Sequence, residues 1–241
     1  MPSWPEQTKY ISQSTLRIDA PEKVTGRAHY SSDIQAAGWL YGMILRSKWP
    51  AATISAISLE KALQVPGIKA AITAKDLPQT VRFYGEEIAA VCGTTKQACL
   101  DALRAIEVTA KPLPFVVLED DAKKDGAPQV WDGKSNVSPG RSREQGTVDQ
   151  AFTECAAVIE GLYTTAVQLH HPMETHGNTV SWTDEGLTAW ASTQAISASR
   201  DGFAGPLKLD HSQVRVITDF MGGGFGSKLN GSVEEIGRAH V

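Results

Sequence analysis

The chain has 241 residues, 41% of them hydrophobic and 21% charged, which excludes wholesale disorder and allows a packed core of one large domain or two small ones. Lys plus Arg is 23 against 27 for Asp plus Glu, a formal net charge of -4, which argues against a general nucleic-acid backbone binder. Three cysteines (Cys92, Cys99 and Cys155) are too few and too scattered for a disulfide framework. No apolar run reaches about 18 residues, so no membrane partner is expected, and no basic-then-apolar leader is visible. The expected compartment is the cytoplasm.

Residues 1–15 are polar, contain two prolines and read as an arm, with core-like sequence starting near Leu16-Arg17-Ile18. Strands are expected at 39–45, 53–57 and 68–72, from apolar runs or alternation closed by turn residues. Ser58 is the expected cap of a short helix over 58–63, ended by Val65-Pro66-Gly67. A strand over 85–91 leads to a helix capped by Thr94 or Thr95, whose apolar face is Cys99, Ala102, Leu103 and Ile106. Interleaved strands and helices of this kind make an α+β pattern. Residues 119–145 turn polar and rich in Gly and Pro, as an exposed connection between domains would be.

Beyond the connection, 156–165 reads as a long strand. Residues 177–182 and 187–190 form a hairpin through Thr183-Asp184-Glu185-Gly186. A helix is expected within 192–204 and a strand over 213–220. Three segments carry polar chemistry. Met221-Gly222-Gly223-Gly224-Phe225-Gly226-Ser227-Lys228 places four glycines in five positions, which suits either a ligand cradle of backbone N–H groups or a tight structural turn. Ser227 intervenes before the lysine, so the phosphate-loop template fails, and the dinucleotide template fails at Ser227 as well. Leu169-His170-His171-Pro172-Met173-Glu174-Thr175-His176 gathers three His and a Glu, but Pro172 breaks helical register and the spacing matches no standard zinc pattern. Ser192-Thr193-Gln194 ends the hairpin with a neutral amide, suited to donate a hydrogen bond to an oxo or phosphate group.

Taken in order, His171-Pro172-Met173-Glu174-Thr175-His176, Trp190-Ala191-Ser192-Thr193-Gln194, Val214-Arg215-Val216 and Gly222-Gly223-Gly224-Phe225-Gly226-Ser227-Lys228 strongly resemble the molybdenum-binding subunit of the xanthine dehydrogenase family. Arg17-Ile18-Asp19-Ala20-Pro21-Glu22-Lys23-Val24-Thr25-Gly26 resembles that family's opening. The resemblance implies an aldehyde oxidase/xanthine dehydrogenase a/b hammerhead domain followed by the start of a molybdenum-cofactor-binding domain. The expected division is an arm over 1–15, the hammerhead over 16–120, a linker over 121–145 and the first part of the cofactor domain over 146–234.

The resemblance further implies a molybdenum–pyranopterin cofactor, in bacteria often as molybdopterin cytosine dinucleotide, and hetero-oligomeric assembly with an iron–sulfur subunit carrying [2Fe–2S] and an FAD subunit. The implied reaction hydroxylates an aldehyde or N-heterocycle, a small-molecule substrate, with oxygen from water. By position, Gln194 resembles the glutamine that hydrogen-bonds a molybdenum oxygen ligand, and Gly224, Phe225 and Gly226 resemble the loop that touches the metal centre, where Phe225 would help exclude water. Family members are several times longer, and the general-base Glu is expected outside this chain, so no catalytic residue is assigned here and the chain alone is expected to be inactive. A non-catalytic binding or scaffold protein that keeps the fold is the alternative. Leu229 stands where purine-oxidising members have Glu. The last residues, 235–241, do not fit the family, and one DNA sequence able to encode them, GAG-ATC-GGA-AGA-GCA-CAC-GTC, reads like a sequencing adapter, so a non-native tail is expected there.

Overall fold

A computed structural model describes residues 8–73 and 77–229. The expected non-native stretch at 235–241 lies outside the described residues, as does the start of the arm. The first half contains α1 (Ala20–Val24), β1 (Tyr41–Arg46), β2 (Ala52–Ser58), α2 (Glu60–Leu63), β3 (Ile68–Thr73), β4 (Gln79–Val81), β5 (Glu87–Gly93), α3 (Lys96–Ala105) and β6 (Glu107–Pro112). These strands form two antiparallel three-stranded sheets, ordered β1-β5-β3 and β4-β2-β6.

β5 is central in its sheet, and its side chains alternate between two apolar surroundings. Ala89 and Val91 pack with Ala62, Cys99, Ala102 and Ile106, the last three from α3 and its end. Ile88, on the other face, packs with Ala52, Ile54 and Val81 of the second sheet. A strand covered on both faces reads as a continuous apolar run, which is why Ile88-Ala89-Ala90-Val91-Cys92 shows little alternation. α3 starts where expected: the Thr95 hydroxyl accepts the Ala98 N–H at 3.1 Å.

Some expectations need correction. Ser58 ends β2 and caps nothing; Leu59 precedes α2 and makes no side-chain cap. Leu16 and Ile18 are not core: Ile18 is 99% exposed, and the Asp19 carboxylate beside them ties Arg17 and Lys23 at the surface. β4 and β6 escaped the sequence reading because β4 is three residues long and β6 is an edge strand with exposed Glu107 and Lys111. Residues 156–165 form no strand, and all of them are exposed. A strand exists only by pairing, and no described strand lies beside this segment.

A short helix, α4 (Glu119–Ala122), opens the connecting stretch, and α5 (Val148–Glu154) follows that stretch. Its Trp131 ring lies 4.2 Å from the Arg82 guanidinium, and Arg82 Nε donates to the Val130 carbonyl at 3.1 Å. The second half contains β7 (Asn178–Thr183), β8 (Gly186–Ala191), α6 (Ile196–Leu207) and β9 (Val214–Ile217). β7 and β8 form the expected hairpin, pairing Thr183 with Gly186 around Asp184-Glu185. β9 runs parallel to β8 on its other side. Leu187, Ala189 and Val214 bury one face against Phe203 and Ala204 of α6. The opposite face meets residues 30–39: the Trp39 and Trp190 rings are 6.1 Å apart, and the Thr179 hydroxyl donates to the Ser31 carbonyl at 2.7 Å.

Candidate functional site

β8 and β9 are parallel neighbours, so the chain leaves both at the same end of the sheet. That end is where adjacent loops of open sheets gather ligands. β8 runs on into Ser192-Thr193-Gln194, and β9 runs through 218–221 into the glycine loop 222–228. The Thr218 hydroxyl donates to the Ala191 carbonyl at 2.8 Å and holds the two exits together.

The glycine loop and the Gln194 strand end are bonded directly. Gln194 Oε1 accepts the Gly226 N–H at 2.9 Å and the Lys228 N–H at 3.3 Å, while the Gln194 N–H donates to the Lys228 carbonyl at 2.8 Å. The Thr193 hydroxyl donates to the same carbonyl at 3.2 Å and itself accepts from the buried Ser199 hydroxyl at 2.8 Å. Gln194 is exposed, and with Oε1 committed to two backbone donors its side-chain amide nitrogen faces away from the loop. That nitrogen donates to no other group among the described residues, so it is a ready donor to a ligand.

Gly224 leaves the space that the Gln194 side chain occupies: a Cβ there would lie 2.4 Å from Gln194 Oε1 and 2.5 Å from its Cδ. Gly223 and Gly226 adopt left-handed φ values of 96° and 100°. Phe225 also has a left-handed φ, 52°, which is unfavourable for a bulky side chain and is tolerated mainly at sites under functional constraint. Phe225 is 71% exposed. All four expected residues, Gln194, Gly224, Phe225 and Gly226, are thus together on one corner.

The histidine-rich segment sits on the same corner but does different work. His176 Nε2 lies 3.0 Å from the Ser227 carbonyl, so that nitrogen carries the hydrogen. The His170 ring approaches Gly226, within 3.7 Å of where a Cβ would stand. Glu174 turns inward. One carboxylate oxygen accepts the Gly222 N–H at 2.8 Å and the Ser192 hydroxyl at 2.7 Å, and the other accepts the Ser31 hydroxyl at 3.3 Å. The Lys228 ammonium is 3.4 Å from this carboxylate and also donates to the Glu174 carbonyl at 2.8 Å and to Ser192 Oγ at 2.6 Å. Burial alone pushes the Glu174 carboxyl upward, but the Gly222 N–H, the Ser192 hydroxyl and Lys228 together hold its pKa below the ordinary glutamate value.

Lys228 is 1% exposed and directs its donors inside the protein, which leaves no lysine on the loop to meet a phosphate. Sequence reasoning quoted Glu174 and Lys228 but gave neither a part in this network. The available signal was a charged side chain closing a run of glycine and serine, where nothing local could neutralise it. Among the described residues, no group of three or more His, Cys, Asp or Glu is arranged to hold a metal ion. The corner offers neutral donors: an amide and glycine backbone. That donor set fits a cofactor whose metal arrives with its own ligands, with oxygen atoms to be hydrogen-bonded.

Comparison with known proteins agrees with this anatomy. Residues 25–82 match the family model for the aldehyde oxidase and xanthine dehydrogenase a/b hammerhead domain, and residues 131–240 match that for the molybdopterin cofactor-binding domain. The nicotinate dehydrogenase large molybdopterin subunit of Eubacterium barkeri is 32% identical, over 93% of this chain and 57% of its own length. A probable xanthine dehydrogenase subunit of Bacillus subtilis (strain 168) is 31% identical, over 89% of this chain and 31% of its own length. The structure of quinoline 2-oxidoreductase from Pseudomonas putida 86 superposes with a TM-score of 0.81 at 27% identity, over 95% of this chain and 33% of that one. The chain therefore spans between about a third and just over half of the length of these three relatives. An α+β hammerhead followed by a molybdopterin-binding domain, matched in sequence and in fold, places this chain in the xanthine dehydrogenase family of molybdenum hydroxylases.

Proposed function

We propose that the glycine corner and Gln194 form one wall of a molybdenum–pterin site, with Gln194, Gly224, Phe225 and Gly226 as its cofactor contacts. The observation that carries this reading is the orientation of Gln194, whose oxygen is held by the Gly226 and Lys228 N–H groups and whose amide nitrogen is thereby presented outward. The glycine backbone lets a ligand approach more closely than side chains would permit. The cofactor, when bound, supplies two-electron redox chemistry for adding a water-derived oxygen to an electron-poor carbon. This chain's part is to bind and orient: a fixed, neutral donor stabilises oxygen ligands without adding charge, and it needs no rearrangement during the reaction.

The same reading assigns 16–120 to the hammerhead, 121–145 to a linker and 146–234 to the first part of the cofactor domain. The general base lies on a part of the protein beyond this chain. Electrons leave through [2Fe–2S] and FAD on partner subunits, the cofactor is in its cytosine dinucleotide form, and the assembly is cytoplasmic. Among the described residues no helix is long and apolar enough to cross a membrane. Leu229, half exposed beside the loop, offers no hydrogen bond to a purine. The substrate class is therefore an aldehyde or an N-heterocycle other than xanthine.

The test is turnover by the complete gene product, expressed with its neighbouring subunits, on a panel of aldehydes and N-heterocycles in heavy-oxygen water. The reading expects products carrying the heavy oxygen, and expects xanthine to be a poor substrate. A folded, cofactor-loaded complex that turns over none of the panel would overturn the hydroxylase assignment.

A further inference from the structure

We propose that Glu174 and Lys228 are positioning residues for the candidate cofactor wall: one inward-turned, largely covered carboxylate closes the glycine loop at both ends, and Lys228 thereby fixes which way the Gln194 amide faces. At the loop's start, Glu174 and Gly222 are paired twice. The Gly222 N–H donates to the carboxylate at 2.8 Å, and the Glu174 N–H donates to the Gly222 carbonyl at 3.3 Å. The approach is close enough that a Cβ on Gly222 would lie 2.5 Å from Glu174 Cβ. At the loop's end, the Lys228 side chain turns back beneath the loop to the Glu174 carbonyl, the Glu174 carboxylate and Ser192.

The main chain of Lys228 links this clamp to the wall. Its carbonyl accepts from the Gln194 N–H and the Thr193 hydroxyl, and its N–H donates to Gln194 Oε1. Moving the buried ammonium would move the peptide groups that hold Gln194. Ser192 serves both ends, since its hydroxyl donates to Glu174 and accepts from Lys228. A buried pair of this kind contributes little net stability against apolar replacements, so its value here is the single geometry it enforces.

The bearing on catalysis rests on the cofactor reading above, whereas the clamp is testable without cofactor. The experiment compares the complete gene product with Lys228→Met and with Lys228→Met/Glu174→Gln. The double variant removes both charges together, so no ion is left buried alone if the single variant fails to fold. Backbone amides within 221–229 should exchange at least about tenfold faster with deuterium in the variants, while those of β5 and α3 keep their wild-type rates. Unchanged exchange of 221–229 in the folded double variant would overturn the clamp. In protein that holds molybdenum, the Mo(V) electron paramagnetic resonance signal of the double variant should shift in the same direction as that of Gln194→Ala. A role in general stability alone would leave the signal of the loaded molecules unmoved, and that result would overturn the positioning role. Wild-type protein without molybdenum would sink the cofactor reading only, and the exchange rates would still decide the clamp.

Discussion

Gly224 and Gln194 share a space that a single methyl group would contest. In Gly224→Ala the new Cβ meets the end of a flexible side chain, so Gln194 is expected to swing away at little cost to folding. The Gly226 N–H would lose its acceptor, and its amide resonance should shift while the melting temperature changes by only a few degrees. A loop amide that keeps its wild-type shift would contradict the Gln194 contact. Glu174 supplies a second residue-scale prediction. Its folded pKa lies below its unfolded value of 4.5, so its stabilising contribution is complete above that value and is lost as the pH falls through the folded pKa. Acid titration of stability should therefore be steeper below about pH 4.5 in the wild type than in Glu174→Gln. Equal acid profiles would show that the carboxylate is not held ionised by its neighbours.

At the scale of elements, two glycines in the second half differ in what an added Cβ would meet. Gly186 follows the hairpin turn at φ 131°, and a Cβ there would lie 2.2 Å from the Gln213 carbonyl oxygen, a backbone atom that cannot step aside. Gly186→Ala should destabilise the β8–β9 pairing by roughly 2 kcal/mol or more. Gly205 lies within α6 with nothing but its chain neighbours near an added Cβ, but it precedes Pro206, whose ring crowds a Cβ on a helical residue before it, so the helix-propensity gain of Gly205→Ala is offset and stability should change by less than about 1 kcal/mol. Paired thermal melts of the two variants check this difference, with a large loss expected only for Gly186→Ala. Elements whose signals are local were legible in the sequence: the Thr95 cap, the Cys99–Ala102 face of α3 and the Asp184-Glu185 hairpin all occur as expected. Three of the misses share a cause. Whether 156–165 pairs, whether Leu16 finds a core and whether Lys228 finds Glu174 are each decided by partners distant in sequence or absent from the described residues. The Gln194 corner was legible only through resemblance to a family, because nothing local says that the ends of β8 and β9 meet.

For the whole molecule, the uneven distribution of core matters most. The first half covers both faces of its β5 sheet, with α3 on one and the second sheet on the other, while the second half leaves Ile159, Leu162, Tyr163 and Val167 almost fully exposed. Apolar surface on this scale is normally covered by further protein. The 241-residue chain by itself should self-associate and bind a hydrophobic dye, as size-exclusion chromatography and fluorescence would show. A sharp monomer peak with no dye uptake would contradict that expectation. The amide-and-glycine corner is one wall and needs facing walls to make a site. The account turns on what that wall holds. Metal and nucleotide analysis of the complete gene product, purified from a host that makes the cofactor, tests it most directly. The account predicts stoichiometric molybdenum together with a cytosine nucleotide released on denaturation, both reduced in Gln194→Ala. A correctly folded, metal-free and nucleotide-free protein would contradict it.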